Sequence, residues 1–511
     1  MNRNYTSKLI FSFLIIFNLN NFLSAEKYRI SHENYSVNGI SKADYISHKI
    51  KINHKKEFQS KEELESYISE LTQKYTNLRL FDDIKIEPMY SSEKNNETTS
   101  VFLEIHLIDS KNVILVPYYK YNEKHGHVIT AVFRDSNFLG TLEPLQTELF
   151  FEMKNKKDSE GLNYTLGTTF TYNVPFFLGK IETSFINDYM LKYTFGSDLP
   201  EYNAKAGLSF SLPVNDIIKP ELNLFQKAVH DLDYKIYNDQ MYFSEIAEFK
   251  VPFIITSAEY TGDIIYTPSV NYIFNWKPDS KISLRDDELL SPELLFSNEI
   301  GFEKINWNGN FRKGLYLNIR QDTGYNFLIN KMVIGGEAEF RSYFSNDYAG
   351  FFLRMYGFVY ENKHKTIDYR LRGIVNDKYF NRTTSLNDIN GTSSQCALVL
   401  NLDFPIKIWT TDFEKMKMPV FKKLNFELQV VPFIDIALTK NRVTQRVFDL
   451  CDGFYTAGIE FIAFPLSFKS LCVRASAGFD LGRTLLKDII DTSWRPDISI
   501  YEISIGIGLF Y

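Results

Sequence analysis

Cysteine is scarce in this sequence: only Cys396, Cys451 and Cys472 occur among 511 residues. An odd and sparse set excludes a disulfide framework, and the spacing matches no metal-ligand motif. One pair can still bridge in an oxidising compartment, so the sequence leaves open whether any disulfide forms.

Histidine is scarce as well. Its one close pair, His125 and His127, lies at a predicted turn, where solvent-facing histidines are more common than a metal site.

Motifs of enzymes and cofactor-binding proteins are missing too. No Gly-rich phosphate loop, Ser–His–Asp set or cluster of metal ligands occurs along the chain. Gly335-Gly336 indicates a strand entry or a bulge rather than a nucleotide-binding loop. The formal net charge of -6 argues against nucleic acid as the main partner. We therefore expect a protein that is not an enzyme and that binds no cofactor, no metal and no nucleic acid.

After the N-terminal segment, long hydrophobic runs are absent. None of the later apolar runs reaches the roughly 18 residues that a membrane-spanning helix needs. A mature chain that enters a membrane must then form a closed barrel, which pairs all its backbone groups. At the N-terminus, Arg3 and Lys8 are basic, residues 9–17 are apolar, and Leu23-Ser24-Ala25 ends in small residues. This pattern predicts a secretory signal peptide over residues 1–25. The alternative, an N-terminal membrane helix, would need a longer apolar run.

Aromatic residues are abundant, with 44 Phe and 32 Tyr, which favours β structure. From Asn112 onward strand-like runs follow each other, and about 400 residues in about 16 strands suit a transmembrane barrel. In residues 335–344 one face is charged and the other apolar: Glu337, Glu339, Arg341 and Tyr343 against Ala338, Phe340 and Phe344. We predict a mainly β fold, a 16-stranded transmembrane antiparallel β-barrel over residues 111–511. The strand count between Pro213 and Trp276 stays open, and the alternative is a large soluble barrel.

Residues 26–110 predict a smaller domain of another kind. Residues 26–48 are polar and irregular. Ser60 and Glu63 have the spacing of a capping box at the start of a helix, and apolar residues recur at helical spacing after them. Further on, apolar side chains alternate like those of a strand, at Val101, Leu103, Ile105 and Leu107. This pattern indicates a small α+β module with one apolar face, which we interpret as a docking or spacer domain.

The loop around Arg372 is the most informative stretch for function. Its sequence is Tyr369-Arg370-Leu371-Arg372-Gly373-Ile374, and the next two strand-like runs each carry an acid, Asp403 and Asp435. A guanidinium in a narrow lumen is costly unless it is paired, and two carboxylates can share its planar fork. We expect charge to hold this loop inside the barrel. The alternative is a solvated Arg372 and two acids that line a wet pore.

Together these features resemble the BamA/TamA-type superfamily of outer-membrane proteins, which join periplasmic POTRA domains to a 16-stranded barrel. The family's Asp-x-Asn-x-x-Gly turn is matched by Arg134-Asp135-Ser136-Asn137-Phe138-Leu139-Gly140, and its Asn-Pro-aromatic turn by Asn173-Val174-Pro175-Phe176. Arg372-Gly373 matches the family's inward-folded loop, with Ile374 in place of the usual aromatic. The closing strand ends in Phe510 and Tyr511, as it does in such barrels.

The resemblance implies three sets of functional residues. A structural lock in the lumen would consist of Arg372, Gly373, Asp403 and Asp435. A weakly paired seam between the last strand and the first, near residues 113–121, would include Gly506, Gly508, Phe510 and Tyr511. Close strand packing explains the two glycines equally well. The edge of a POTRA-like domain over residues 26–110 would receive extended substrate at Val101, Leu103, Ile105 and Leu107.

The resemblance also implies a location and partners. The protein would lie in the outer membrane of a Gram-negative-type cell envelope, with its N-terminal domain in the periplasm. Its partners would be outer-membrane lipid and unfolded outer-membrane or secreted polypeptides, with periplasmic or inner-membrane assembly partners beside them. The implied function is the insertion or translocation of polypeptides through the barrel seam. Two alternatives stay open, a passive or substrate-specific pore and a two-partner-type protein secretion pore.

Overall fold

The computed structural model describes residues 27–95, 98–122, 126–155, 161–215, 217–230, 241–276, 292–327, 330–367, 370–373, 393–413, 415, 425–441, 444–494 and 500–509. The expected signal peptide lies outside these ranges, as do Ile374, Phe510 and Tyr511. The chain divides into two compact units between Ser110 and Lys111. None of the helices in the described ranges is long and apolar enough to cross a membrane.

The N-terminal unit is a four-stranded mixed sheet with two helices. Its elements are β1 (Lys27–Asn38), α1 (Ala43–Lys49), β2 (Glu57–Phe58), α2 (Lys61–Leu78), β3 (Phe81–Asn95) and β4 (Thr98–Asp109). The predicted capping box starts α2: Ser60 Oγ accepts from the Glu63 N–H at 3.2 Å, and the Glu63 carboxylate accepts from the Gln59 N–H at 2.8 Å. On α2, Leu64, Leu71 and Tyr75 are fully buried.

Two expectations for this unit are wrong. The strand order is β2-β1-β4-β3, so β4 is a central strand, and Val101, Leu103, Ile105 and Leu107 are core residues rather than an edge. The reason is that β1 pairs in parallel with β4 over its whole length, while β3 pairs antiparallel on the other side. The N-terminal residues are not irregular, because 27–38 form β1. Only Tyr28 and Ile30 of β1 are buried, and the rest of the strand is mostly polar, so its sequence shows no continuous apolar alternation.

The second unit is a closed antiparallel barrel. Its strands before the long loop are β5 (Val113–Asn122), β6 (Gly126–Asp135), β7 (Leu145–Asn155), β8 (Leu162–Leu178), β9 (Ile181–Thr194), β10 (Glu201–Ser211), β11 (Glu221–His230), β12 (Met241–Lys250), β13 (Phe253–Ala258), β14 (Gly262–Trp276), β15 (Glu293–Asn308), β16 (Phe311–Asn326), β17 (Lys331–Ser345) and β18 (Gly350–Glu361). The long loop contains a two-residue pair, β19 (Lys365–Thr366) and β20 (Ser393–Ser394). After it come β21 (Cys396–Asp403), β22 (Ile406–Thr410), β23 (Phe426–Thr439), β24 (Phe454–Pro465), β25 (Val473–Asp480) and β26 (Tyr501–Ile507).

The described residues form 18 wall strands, so the predicted count of sixteen is wrong. The segments β12 and β13 count as one wall strand, because both pair with β14. The segments β21 and β22 likewise count as one, because both pair with β23. Five of these wall strands follow the long loop. The excess lies before it, where β11 falls in the region whose count stayed open. Its inward side mixes Asn223, Phe225 and Lys227, which weakens the alternation that marks a strand.

The barrel is charged inside and apolar outside, as the sequence predicted. On β17, Ile334 and Phe344 are exposed on the outward face. On its inward face, Glu337 and Glu339 accept hydrogen bonds from other lumen residues. A soluble barrel would reverse this pattern, because its apolar face would fill the inside. This outward face is therefore one that lipid covers.

The two ends of the barrel differ. We call the end where β5 begins the entry end and the opposite end the loop end. Entry-end turns are mostly short, for example at Gly179 between β8 and β9, where φ is +63°. The turn after β6 is fixed by side chains: Asp135 accepts from the Asn137 N–H at 3.0 Å, and the Asn137 side chain accepts from the Leu142 N–H at 2.8 Å. The long loop after β18 lies at the loop end and supplies the candidate site.

Candidate functional site in the barrel lumen

Arg372 is buried in the lumen between two carboxylates. Its side chain is 3% exposed. Nη2 lies 2.6 Å from Asp403 Oδ1 and 2.7 Å from Asp435 Oδ1. Nε and the backbone N–H both donate to Asp435 Oδ2 at 2.9 Å. The structure thus places together the arginine and both acids that the sequence singled out.

Strand register explains how two acids from distant positions reach one guanidinium. Asp403 ends β21 and Asp435 lies in the middle of β23, its hydrogen-bonded neighbour. Both point inward, because alternate residues of β23 from Glu427 to Thr439 are buried and the residues between them face outward. A fixed wall therefore holds both carboxylates, and Arg372 comes to them from the loop. The fork of its guanidinium fits this arrangement, whereas the single ammonium of lysine does not.

Further residues of the site were missed from the sequence. Glu460 on β24 lies 3.6 Å from Arg372 Nη1, and Arg474 on β25 lies 3.2 Å from Glu460. The ring of Phe433 lies 3.8 Å beneath the guanidinium carbon and adds a cation–π contact. Asn401 donates to Asp435 at 2.8 Å and to the backbone oxygen of Arg370 at the same distance. Their inward alternation on predicted strands was the available signal.

Gly373 is required by space and by backbone conformation. Its φ is +81°, and an added Cβ would lie 2.7 Å from the backbone nitrogen of Phe479. Gly478 on β25 is the matching partner, because its own Cβ would lie 2.7 Å from Gly373 Cα. The Gly373 N–H donates to Glu502 on β26 at 3.3 Å. Arg372 and Gly373 therefore contact β21, β23, β24, β25 and β26, which are all five wall strands after the loop.

The charges of the site do not balance within it. Four buried acids, Asp403, Asp435, Glu460 and Glu502, stand against two arginines, Arg372 and Arg474. A cluster with an excess of positive charge lies next to this acidic one. In it, Arg341, Arg354 and Arg370 donate to Glu339 at 2.6, 2.8 and 3.5 Å. Because Asn401 links Arg370 to Asp435, the acidic and basic clusters adjoin and compensate each other. The acidic cluster depends on the loop, since buried charge needs a partner and Arg372 supplies it.

The start of the same loop is also held by ion pairs. Lys363 lies 3.3 Å from Glu293 on β15, and Lys365 lies 2.5 Å from Glu337 on β17. Two apolar loop residues, Ile367 and Leu371, are fully buried in a cluster with aromatic residues of β18. The loop is therefore fixed along the wall before it reaches Arg372.

The first and last strands of the barrel meet at a short seam. β26 pairs with β25 over its full length, from Tyr501 to Ile507, but with β5 only at Ile503 opposite Tyr121. An added Cβ at Gly506 would meet nothing nearer than 3.9 Å, and one at Gly508 nothing within 4 Å. Close strand packing is therefore not the reason for these glycines.

After β26 the chain turns into the lumen. Gly508 has a φ of +91°, and its N–H donates to the backbone oxygen of Cys472 at 3.0 Å. Leu509 then packs against a buried cluster that includes Val431 and Phe464. The same residue lines a cavity together with Asp403 and Glu460. The end of the last strand therefore lies next to the acids that hold Arg372.

Other candidate ligands are accounted for within the described residues. Cys396 and Cys472 are buried free thiols, and Cys451 is an exposed one. In the N-terminal unit, Glu87, Glu104 and His106 lie close enough to suggest a metal site. Lys85 donates to Glu87, however, and this hydrogen bond holds the pKa of the Glu87 carboxyl below its usual range. An ion pair at the surface explains the group without a metal.

Comparison with known proteins gives structural likenesses only. No protein-family model matches the sequence. No curated protein matches it either. The chain is similar to BamA and CdiB barrels. CdiB from Acinetobacter baumannii is 11% identical, with 94% of this chain and 74% of that chain covered and a TM-score of 0.45. CdiB from Escherichia coli is 9% identical, with 94% and 76% covered and a TM-score of 0.47.

The crystal structure of BamA from Haemophilus ducreyi lacking POTRA domains 1–3 is 11% identical. The match covers 94% of this chain and 84% of the BamA chain, with a TM-score of 0.33. At such identities and TM-scores these likenesses decide nothing about mechanism. The strand ladders and the lumen contacts carry the functional inference instead.

Proposed function

We propose that the protein lies in the outer membrane and inserts or translocates other polypeptides through the seam between β5 and β26. One observation carries this proposal: a closed wall whose first and last strands share a single ladder pair, Ile503 with Tyr121. Every other neighbouring pair of wall strands is joined by a longer ladder. The wall therefore has one place where it opens at low cost, and no chemistry on the substrate is needed.

An open seam offers backbone groups to an incoming strand. Within the described residues, the ladder between β5 and β26 consists of the pair Tyr121 with Ile503, near the loop end of β5. Unpaired strand edges template the addition of another strand, with main-chain hydrogen bonds as the source of affinity. The lumen lock (Arg372, Gly373, Asp403 and Asp435) joins the five strands behind the seam. Opening is then confined to the β5–β26 junction, because β21 to β26 move as one body.

The N-terminal unit acts as a periplasmic POTRA-type domain in this proposal. What supports this is a long helix, α2, followed by two antiparallel strands, β3 and β4. In the described part of this unit, β3 is the outermost strand on one side of the sheet, and on the other side β1 is paired with β2 at Tyr28 and Arg29. An extended polypeptide can add at these two edges. These edges replace β4 as the place where substrate adds to the sheet.

A pore is the second candidate, and the charged lumen is the observation that favours it. Ions need polar walls, which this barrel has. The loop held by Arg372 fills part of that lumen, however, and a simple pore has no use for a seam. A two-partner-type secretion pore would share the barrel. Within the described N-terminal residues the first helix is α1, which is seven residues long and follows a strand.

Reconstitution in liposomes tests the proposal. The folding rate of a second outer-membrane barrel is measured with and without the purified protein, using heat-modifiable gel mobility as the readout. Ion conductance is recorded in parallel. Acceleration is the expected result. Conductance without acceleration would instead establish the pore.

A disulfide staple tests the seam itself. In a Cys451→Ser background, Tyr121→Cys with Ile503→Cys links the two strands at their one ladder pair. This staple should abolish acceleration, and a reductant should restore it. The matched control, Ala477→Cys with Ile503→Cys, links β26 to β25 at another ladder pair and leaves the seam free. Equal activity of both stapled proteins would exclude the seam as the route.

A further inference from the structure

Two loops at the loop end are joined into one ordered surface. They follow β23 and β25. The Asp491 N–H donates to the backbone oxygen of Cys451 at 2.8 Å. Arg446 lies 3.1 Å from Asp452 in its own loop and 3.4 Å from Asp491 in the other. The Asp449 side chain accepts from the Cys451 N–H at 2.8 Å and caps a short 3-10 helix. This part of the rim is therefore a fixed feature and not a loose pair of loops.

The joined loops expose large apolar side chains. We call the following residues the apolar platform: Val447 (53% exposed), Phe448 (44%), Leu450 (65%), Leu485 (82%) and Ile489 (67%). A group of this kind on an ordered surface marks an interaction site, whereas single exposed apolar residues do not. Leu485 and Ile489 both lie in the run of turns that follows β25. Ile490, in contrast, is buried.

The platform continues the lipid-facing surface of the wall. Leu438 on β23 and Tyr455 on β24 belong to the outward face, because they alternate with buried lumen residues. The Tyr455 hydroxyl donates to the backbone oxygen of Leu450 at 2.8 Å. A Cβ at Gly453 would lie 2.8 Å from both Leu438 and Tyr455. The loop that carries Leu450 therefore folds over the outward rim, next to side chains that face acyl chains.

We propose that the apolar platform inserts into the interfacial layer of the bilayer and that its partner is lipid. The inference uses the membrane location of the proposed function but not its polypeptide clients. Apolar side chains next to a polar rim bind at the boundary between head groups and acyl chains. The platform lies on β23 to β26, so it ties the strands on one side of the seam to the membrane. No such tie is needed on the β5 side for the seam to open.

Cys451 gives a native probe of this contact, because it is the exposed one of the three thiols and directly follows Leu450 of the platform. The thiol is labelled with an environment-sensitive fluorophore in the full-length protein, which is then reconstituted in phosphatidylcholine–phosphatidylglycerol liposomes. A spin label on the lipid near the head group should quench the emission, and aqueous iodide should quench it several-fold less than at a wet site. The wet control is Lys487→Cys in the Cys451→Ser background, since Lys487 is charged and exposed.

Serine substitutions give a second arm. Leu450→Ser with Ile489→Ser should raise iodide quenching at Cys451 and lower lipid quenching, while heat-modifiable mobility shows that the barrel is intact. Iodide access equal to that of the Lys487→Cys control would overturn the proposal. Protection from iodide without lipid quenching, together with a dimer in sedimentation, would overturn it in favour of a second copy. Failure of this test leaves folding acceleration untouched, so it is distinguishable from failure of the proposed function.

Discussion

The backbone N–H of Gly373 donates to the carboxylate of Glu502 at 3.3 Å. This hydrogen bond joins the loop after β18 to the last strand of the wall, which forms the seam with β5. The lumen lock and the seam are therefore two ends of one contact network. Leu509 supports the same conclusion, because it lines a cavity with Asp403 and Glu460. A change at the loop should alter the seam without touching it directly.

Arg372→Ala should destabilise the barrel strongly. The substitution leaves Asp403, Asp435 and Glu460 buried without their shared cation, and breaking a buried ion pair from one side costs about 3–5 kcal/mol. We expect a lower temperature for the gel-mobility shift and faster cleavage by trypsin. Lys331→Ala, at an exposed strand end, is the control and should leave both unchanged. Wild-type mobility and protease resistance in Arg372→Ala would mean that the lumen lock does not hold the barrel.

Gly478→Ala should dislodge the loop, although it lies far from Arg372 in sequence. The added Cβ would lie 2.7 Å from both Cα and N of Gly373. These are backbone atoms, so the loop itself must move. Gly506→Ala is the matched control on the neighbouring strand, where the nearest atom is 3.9 Å away, and we expect a change within about 0.5 kcal/mol. Trypsin cleavage measures loop release, and equal cleavage of the two variants would contradict the close contact.

The sequence predicted the chemistry of this site better than its extent. Asp403 and Asp435 stood out because each is an acid in an apolar strand-like run, and Arg372 stood out because it lies in the loop before those two runs. Glu502 and Gly478 did not, because one sequence does not say which strands adjoin or how closely the loop approaches them. Such contacts depend on barrel register, which is set by all the strands together.

The N-terminal unit shows the same limit in a simpler form. The alternation of residues 101–107 correctly predicted a strand with one buried face. It did not reveal that β1 pairs in parallel on one side, because parallel pairing joins residues far apart in sequence and β1 is polar on most of its length. Burial is visible in local pattern, whereas position in a sheet depends on long-range pairing.

Glu63→Gln should remove a pH-dependent part of the stability of α2. The Gln59 N–H donates to the Glu63 carboxylate and holds its pKa below the usual range. A depressed folded-state pKa means that the carboxylate stabilises the folded form above its unfolded pKa of about 4.3 and loses this effect as pH falls through the folded value. The free energy of unfolding of the N-terminal unit, measured with urea, should therefore be higher for the wild type than for the variant at pH 7. At pH 3 this difference should be much smaller. An equal difference at both pH values would assign the effect to the amide, not to charge.

Glu502→Ala should weaken the seam while the lumen lock stays in place. Glu502 is 6% exposed and points into the lumen from β26. Its loss frees the last strand from Gly373, but Arg372 keeps both aspartates, so trypsin resistance should stay near that of the wild type. β26 then spends less time beside β5, and the Tyr121→Cys/Ile503→Cys disulfide should form more slowly in this background.

Two further variants decide whether that effect arises from the hydrogen bond. Glu502→Gln keeps an acceptor for the Gly373 N–H and should restore most of the cross-linking rate. Glu427→Ala removes another buried lumen acid, one held by Lys407 at 3.0 Å and not by the loop, and should leave the rate unchanged. If Glu502→Ala cross-links as fast as the wild type, the loop and the seam are independent. In that case the seam is weak only because its ladder is short.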